Sequence, residues 1–180
     1  QGIFAAIAAK KRQESFAYWI GSASAMSLLE SAVQGNLPQE TAVEDILKDC
    51  AVHPHLFAKQ EDACVYHWLE KLGAWSPIIH LQQSDGKSSP HWPFDPTHNA
   101  KGIISGERVI ASLRRAFDSE ESGLPPMCDE VVLTLEPFIS TDGNVYCALD
   151  ELRQSVCYWR QFVPEDGMRL SEIITATGIS

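Results

Sequence analysis

The sequence predicts an α/β fold in which parallel strands alternate with helices. The short apolar runs "SPIIHLQ" and "EVVLTLEPF" have the length and composition of strands. The segment between them, "SGERVIASLRRAFDS", places its apolar residues at helical spacing. An order of strand, helix, strand and helix is typical of a parallel sheet with crossover helices.

Size and composition fit one globular domain. The chain has 180 residues, of which 44% are hydrophobic and 21% charged, so we expect a single domain over residues 1–180. The net charge of −10 disfavours nucleic acid and anionic membranes as partners. No apolar run approaches the roughly 20 residues that a membrane helix needs. The five cysteines include no CxxC pair, which indicates a reducing cytoplasm.

The first elements are a helix and a candidate strand. Residues 4–20 have the Ala-rich composition of a helix, which we expect to end near Gly21. The apolar run 25–30, "AMSLLE", predicts a short strand that ends in the carboxylate Glu30.

A second helix and a weaker strand follow. Thr41 and Glu44 have the spacing of a capping box and predict a helix that continues to about Cys50. Residues 50–57 are a weak strand candidate, because Pro54 has no N–H to donate to a sheet.

Three further helices are predicted from apolar stripes. The first has Gly73 as its stop and the stripe Val65, Trp68, Leu69 and Leu72. The second has the stripe Val109, Ile110, Leu113 and Phe117. The third has the stripe Leu149, Leu152, Val156, Trp159 and Val163.

Three predicted strands end in a residue that can bind a metal. Glu30 follows "MSLL", His80 follows "PII" and Glu136 follows "VVLTL". The carboxyl ends of parallel strands meet on one face of the sheet, where active sites lie. Two carboxylates and an imidazole suit a divalent cation such as Mn²⁺, Mg²⁺, Co²⁺ or Zn²⁺. The sequence therefore predicts a metal site at this face.

Four segments carry a family resemblance: "IIHLQQSDG…HWPF", "THNAKGIISGERVIASL", "LTLEPF" and "DELRQSVCYWRQFVPEDG". They resemble the C-terminal half of the xylose-isomerase-like sugar-phosphate isomerases and epimerases. Within that superfamily they are most similar to the tetrulose-phosphate epimerases of erythritol catabolism. The upstream "LLESAVQGNLP" is similar to the fifth-strand segment of the family.

This resemblance implies a (β/α)₈ TIM barrel, of which about the last four βα units are represented in the chain. It implies that Glu30, His80 and Glu136 are metal ligands on the fifth, seventh and eighth strands. It also implies that Glu30 and Glu136 flank the substrate carbon and move its proton. A proton beside a ketone is too weakly acidic to leave unless the enediolate is stabilised, and a cation at the oxygens provides that stabilisation. One carboxylate on each face then allows inversion.

The chain departs from the family pattern in two places. The sixth strand of the family ends in a metal-binding Asp followed by Gly-His, whereas this chain reads "CAVHPH". His55 alone matches the trailing histidine, and His53 is a speculative replacement for the missing ligand. A complete barrel also needs at least about 200 residues, so we expect the N-terminal half to be absent and the chain to be a fragment.

The long loop after His80 holds the candidate substrate contacts. We expect Gln82, Lys87, His91 and Trp92 to contact a phosphorylated sugar, together with His55 upstream. Lysines are natural phosphate partners, and Lys101 is a second candidate. The alternative to substrate contact is a solvent-exposed loop that its prolines stiffen.

Two other functions stay open. A dehydratase of the same superfamily also begins with proton abstraction beside a carbonyl, whereas an endonuclease of this superfamily is disfavoured by the acidic balance. A truncated barrel without catalysis could instead serve as a binding or assembly module. Barrels of this type often self-associate, so a homo-oligomer is possible.

Overall fold

The computed structural model of the chain describes residues 22–58, 60–119, 123–137 and 145–179. These residues form two compact units that divide between Ala63 and Cys64. Whether the two units belong to one domain stays a prediction. The helix expected over residues 4–20 lies outside the described residues.

The first unit is a pair of helices, α1 (Ala23–Gln34) and α2 (Gln39–Val52). The hydroxyl of Ser22 accepts a hydrogen bond from the main-chain N–H of Ala25 at 3.1 Å and caps α1. The helix ends at Gly35, whose φ of 81° closes the last turn. Both helices contribute to one core, made by Ala25, Leu29, Ala32, Ala42, Ile46 and Phe57.

Both strands predicted in this unit are wrong. Residues 25–30 lie inside α1, and residues 50–57 comprise the end of α2 and a 3₁₀ turn, Pro54–Leu56. The buried residues of α1 recur at intervals of four and three, which is a helical period, and a six-residue apolar run was too short to show it. The second helix is confirmed, but it begins at Gln39 after Pro38, so Thr41 does not cap it.

The second unit is an α/β structure, which confirms the predicted class. Its helices are α3 (Val65–Leu72), α4 (Pro96–Asn99), α5 (Gly106–Phe117), α6 (Val145–Trp159) and α7 (Leu170–Thr177). Strands β1 (Ile78–Leu81) and β2 (Val132–Leu135) pair in parallel, with His80 opposite Thr134. Within the described ranges these two form the whole sheet, so the barrel stays a prediction.

The two faces of this sheet differ in burial. Leu81, Leu133 and Leu135 belong to a core cluster with Leu113 of α5 and Trp159 at the end of α6. The alternate positions are open, with Ile78 58% exposed and Val132 47% exposed. His80 shares this open side, because successive strand residues point to opposite faces.

The predicted apolar stripes have mixed outcomes. In α5, Val109, Ile110 and Leu113 are buried as predicted. The helices predicted from the other two stripes are confirmed as α3 and α6, although most members of those stripes are exposed: Val65, Trp68, Leu72, Leu149, Leu152 and Val156. In α3 the buried residue is Tyr66, and in α6 the buried positions are Ala148, Ser155 and Trp159. Of the helices that the structure describes, none has the length and apolar character to cross a membrane.

Candidate functional site

The structure brings together two of the three predicted metal ligands. Nδ1 of His80, within β1, lies 3.0 Å from Oε2 of Glu136, the residue directly after β2. The main-chain N–H of Glu136 donates to the carbonyl of Leu81 at 2.9 Å, so the strand pairing fixes its position. The two side chains are 58% and 44% exposed. The pair therefore lies at the open carboxyl ends of adjacent parallel strands.

His91 joins this pair from the loop after β1. Its Nδ1 is 3.3 Å from the main-chain oxygen of Glu136 and 3.8 Å from Oε2 of the same residue. The φ of His91 is 51°, the one positive φ of a residue other than Gly that the described ranges contain. Two imidazoles thus converge on Glu136, and the name His80–Glu136–His91 cluster is used for these three side chains.

The first unit holds the other predicted site residues of the upstream segment. Glu30 is exposed on α1, so its predicted place at a strand end is wrong. His55 is exposed in the Pro54–Leu56 turn, with its ring 6.2 Å from that of His53. The roles of Glu30 as ligand and proton carrier, and of His55 as substrate contact, stay predictions.

A buried amide organises the loop that carries His91. Gln83 is 1% exposed and makes four side-chain hydrogen bonds. Its Nε2 donates to Oδ1 of Asn99 and to the carbonyl of Ile104, both at 2.9 Å. Its Oε1 accepts from the main-chain N–H groups of Ile104 at 2.9 Å and Ser84 at 3.1 Å. A Cβ on Gly102 would lie 2.1 Å from the Gln83 amide carbon, so only glycine fits there. The loop is therefore held from both of its ends.

Trp92 is enclosed by neighbouring side chains of the same loop. Its ring centroid is 5.0 Å from that of His98, and Nζ of Lys101 lies 4.2 Å from it. Nδ1 of His98 is 2.8 Å from Oδ2 of Asp95. Burial raises the pKa of Asp95, but hydrogen bonds from the main chain and ring of His98 outweigh it and lower the pKa below its ordinary 3.8. These contacts show a structural role for Trp92 and Lys101, and substrate contact stays a prediction.

Gln82 and Lys87 have different environments. Nε2 of Gln82 donates to the hydroxyl of Ser89 at 3.0 Å, while its Oε1 is buried without a partner in the part of the chain that is described. Lys87 is exposed, and its main-chain N–H donates to Oδ1 of Asp85 at 3.0 Å. Their predicted contacts with substrate are untested.

Sequence reasoning missed two residues that fix this region. The sequence predicts a role for Gln82 and none for its neighbour Gln83, yet Gln83 is the residue that anchors the loop. Tyr66 was passed over in α3, although its hydroxyl donates to the carbonyl of Ile103 and accepts from the N–H of Ser105, both at 2.7 Å. No local signal marks either role, because all partners except Ser84, which adjoins Gln83, lie 16 to 39 residues away.

The His80–Glu136 pair fits part of a metal site. Two adjacent ligand atoms of an octahedral cation, each about 2.1 Å from the metal, are about 3.0 Å apart. Nδ1 of His80 and Oε2 of Glu136 have this separation, and one imidazole with one carboxylate suits the metals expected. Among the residues described, however, no group of three or more His, Cys, Asp or Glu side chains could hold a metal ion. The pair therefore accounts for two ligand positions, and the others stay predictions.

A cleft of about 1110 Å³ lies elsewhere in the second unit. Residues of α5, β2, α6 and α7 line it, and its walls include Leu133, Trp159 and Ile173. None of the three members of the His80–Glu136–His91 cluster lines this cleft. The cleft therefore does not belong to the candidate site.

Comparison with known proteins relates the chain to an epimerase. No family model matches the sequence. The chain is 31% identical over 102 residues to a protein of Brucella abortus (strain 2308) named D-erythrulose 1-phosphate 3-epimerase. The match covers 57% of this chain and 30% of that protein, so the chain spans less than a third of its relative. The similarity is thus to an enzyme of the isomerase class.

Proposed function

We propose that the chain is part of a metal-dependent sugar-phosphate epimerase or isomerase built on a (β/α)₈ barrel. Its substrate would be a tetrulose phosphate, by analogy with the named activity of the similar protein. The observation that carries the proposal is the His80–Glu136 contact at the ends of two parallel strands. In TIM-barrel enzymes the active site lies at this edge of the parallel sheet, which supports the proposal.

The geometry supports distinct tasks for the two residues. His80 and Glu136 would provide two adjacent ligands, and a divalent cation bound there would supply the positive charge that makes a proton beside a ketone acidic. Glu136 is ionisable and 44% exposed, so a bound substrate can reach its carboxylate. Glu136 would take a proton from the substrate carbon and return it, acting as a general base and then as a general acid.

A second carboxylate is required for inversion by two bases. Glu30 is the sequence candidate for that role, and its assignment is part of the proposal. If Glu136 acts alone, the carbon exchanges its proton with solvent and keeps its configuration. Exchange of the proton with solvent and inversion of the carbon must therefore be measured separately.

The test follows solvent deuterium into D-erythrulose 1-phosphate by proton NMR. We expect wild-type protein with Mn²⁺ to incorporate deuterium beside the ketone. Glu136→Gln should reduce the exchange rate about 10²- to 10⁴-fold, because general-base catalysis contributes that much. Elemental analysis of the same samples reports whether metal is retained.

Glu130→Gln is the matched control, because it makes the same change at an exposed carboxylate just before β2. It should exchange like wild type. Normal exchange by Glu136→Gln would remove Glu136 from proton transfer. Absence of both metal and exchange in wild-type protein would overturn the proposed function and favour a non-catalytic module.

A further inference from the structure

The contact between His91 and Glu136 defines the state of the His91 ring. The main-chain oxygen of Glu136, 3.3 Å from Nδ1, can only accept a hydrogen bond. A hydrogen bond to this oxygen requires a proton on Nδ1 of His91, which in the neutral ring leaves Nε2 as the unprotonated nitrogen. The contact spans 45 residues of sequence and joins the loop after β1 to the end of β2.

The backbone of His91 is held in the conformation that makes this contact. Its φ of 51° is in the left-handed region, which is uncommon for residues other than Gly, although Asn, Asp and His adopt it several times more often than the rest. The next residue is fixed, because Trp92 and Gln83 exchange main-chain hydrogen bonds of 2.8 and 3.1 Å. Two residues further on, the N–H of Phe94 donates to the buried hydroxyl of Ser155 at 2.9 Å. An unfavourable conformation maintained by its surroundings at a candidate site points to function.

We infer that His91 is a positioning residue, which acts through Nδ1 to hold Glu136 beside His80. It does not act by binding substrate, the role that the sequence suggested. The main chain of Glu136 is bonded on one side to Leu81 and on the other to His91. Without the His91 bond, the main chain of Glu136 keeps only its bond to Leu81 among the described residues, so its carboxylate is held less firmly beside His80. This inference rests on the proposed function for its kinetic consequences, but not for its structural ones.

Three substitutions separate positioning from substrate contact. His91→Asn keeps a donor at the place of Nδ1 and tolerates a positive φ. His91→Gln places its amide at the position of Nε2 and has no donor at Nδ1. His91→Gly relieves the backbone and removes the ring altogether. His67→Asn, on α3, is the control for introducing an asparagine.

The kinetic test measures kcat and KM for each variant in the full chain. We expect His91→Gln and His91→Gly to lose about 10- to 100-fold in kcat with KM unchanged, as for other residues that orient a catalytic group. His91→Asn should recover most of the wild-type kcat. The inference is overturned if His91→Gln outperforms His91→Asn, or if the variants raise KM alone, because either result indicates substrate contact through Nε2.

A second measurement does not depend on activity. Two-bond proton–nitrogen NMR spectra of the imidazoles should show Nδ1 of His91 protonated in the wild type. The His80 ring signals should shift in His91→Gly and stay in place in His91→Asn. If the wild type proves inactive on tetrulose phosphates, the proposed function fails while these spectra still decide the inference. An unprotonated Nδ1, or a His80 ring insensitive to every variant, would refute it.

Discussion

The buried amide of Gln83 offers the sharpest test of how the loop is held. Gln83→Met keeps roughly the volume and flexibility of the side chain and removes both polar ends. Four hydrogen bonds are lost, two to main-chain N–H groups, one to a carbonyl and one to the Asn99 amide. An average hydrogen bond contributes about 1 kcal/mol net, which gives a loss of about 4 kcal/mol.

The true loss depends on what happens to the four groups that lose their hydrogen bond to Gln83. A buried donor or acceptor without a partner costs about 1–3 kcal/mol, so a rigid loop would lose more than 4 kcal/mol. A loop that opens to water would lose less. We therefore expect a loss of about 3–4 kcal/mol in the free energy of unfolding, which is large against a typical total of about 5–15 kcal/mol.

Urea unfolding followed by far-UV circular dichroism measures this loss. Gln82→Met is the matched control, because the side chain of this neighbouring glutamine makes one hydrogen bond within the described residues, to the hydroxyl of Ser89. The control should lose less than about 1 kcal/mol. Equal losses in the two variants, or a loss below about 1 kcal/mol for Gln83→Met, would show that the Gln83 bonds do not hold the loop.

Three further substitutions test other contacts of the second unit. Gly106→Ala should destabilise the protein by about 1–3 kcal/mol in urea unfolding, because the new Cβ would lie 2.3 Å from the Phe162 ring. Alanine usually favours helices, so a stabilised variant would contradict this close packing. Tyr66→Phe should lower the thermal midpoint and cost about 1–3 kcal/mol, since its hydroxyl serves one main-chain donor and one acceptor; an unchanged midpoint would exclude that role. Asp95→Asn should be less stable than wild type at pH 7 by about 1 kcal/mol. Because contact with His98 lowers the pKa of Asp95, the difference should vanish as pH falls below 3.8, and a difference that grows there would reverse the sign of the argument.

The second unit was more predictable than the first, for a physical reason. Its strands are β-rich runs bounded by Pro77 and Pro137, and α5 places its apolar residues at one clear period, so local pattern and tertiary structure agree. In the first unit, the run that ends at Glu30 was too short to distinguish strand from helix. Because residues 25–30 form part of a helix, Glu30 does not lie at the end of a strand, and that argument for Glu30 as a metal ligand no longer holds.

The candidate site was predictable only where strand ends determine it. The sequence placed His80 and Glu136 at the ends of neighbouring strands, and the structure brings their side chains to 3.0 Å. The position of His91 could not be read in this way, because it depends on a loop anchored by Gln83 and on a positive φ. Such bonds between distant loop residues leave no periodic trace in a sequence.

The separation of His80 and Glu136 along the chain determines how long after His80 the ribosome adds Glu136. The two residues are 56 positions apart, and a ribosome adds about 5–20 residues per second, so the imidazole is made roughly 3–11 s before its carboxylate partner. Throughout that interval β1 lacks β2, the strand with which it pairs in the described part of the chain. A nascent chain interrupted anywhere before β2 therefore carries only half of the pair.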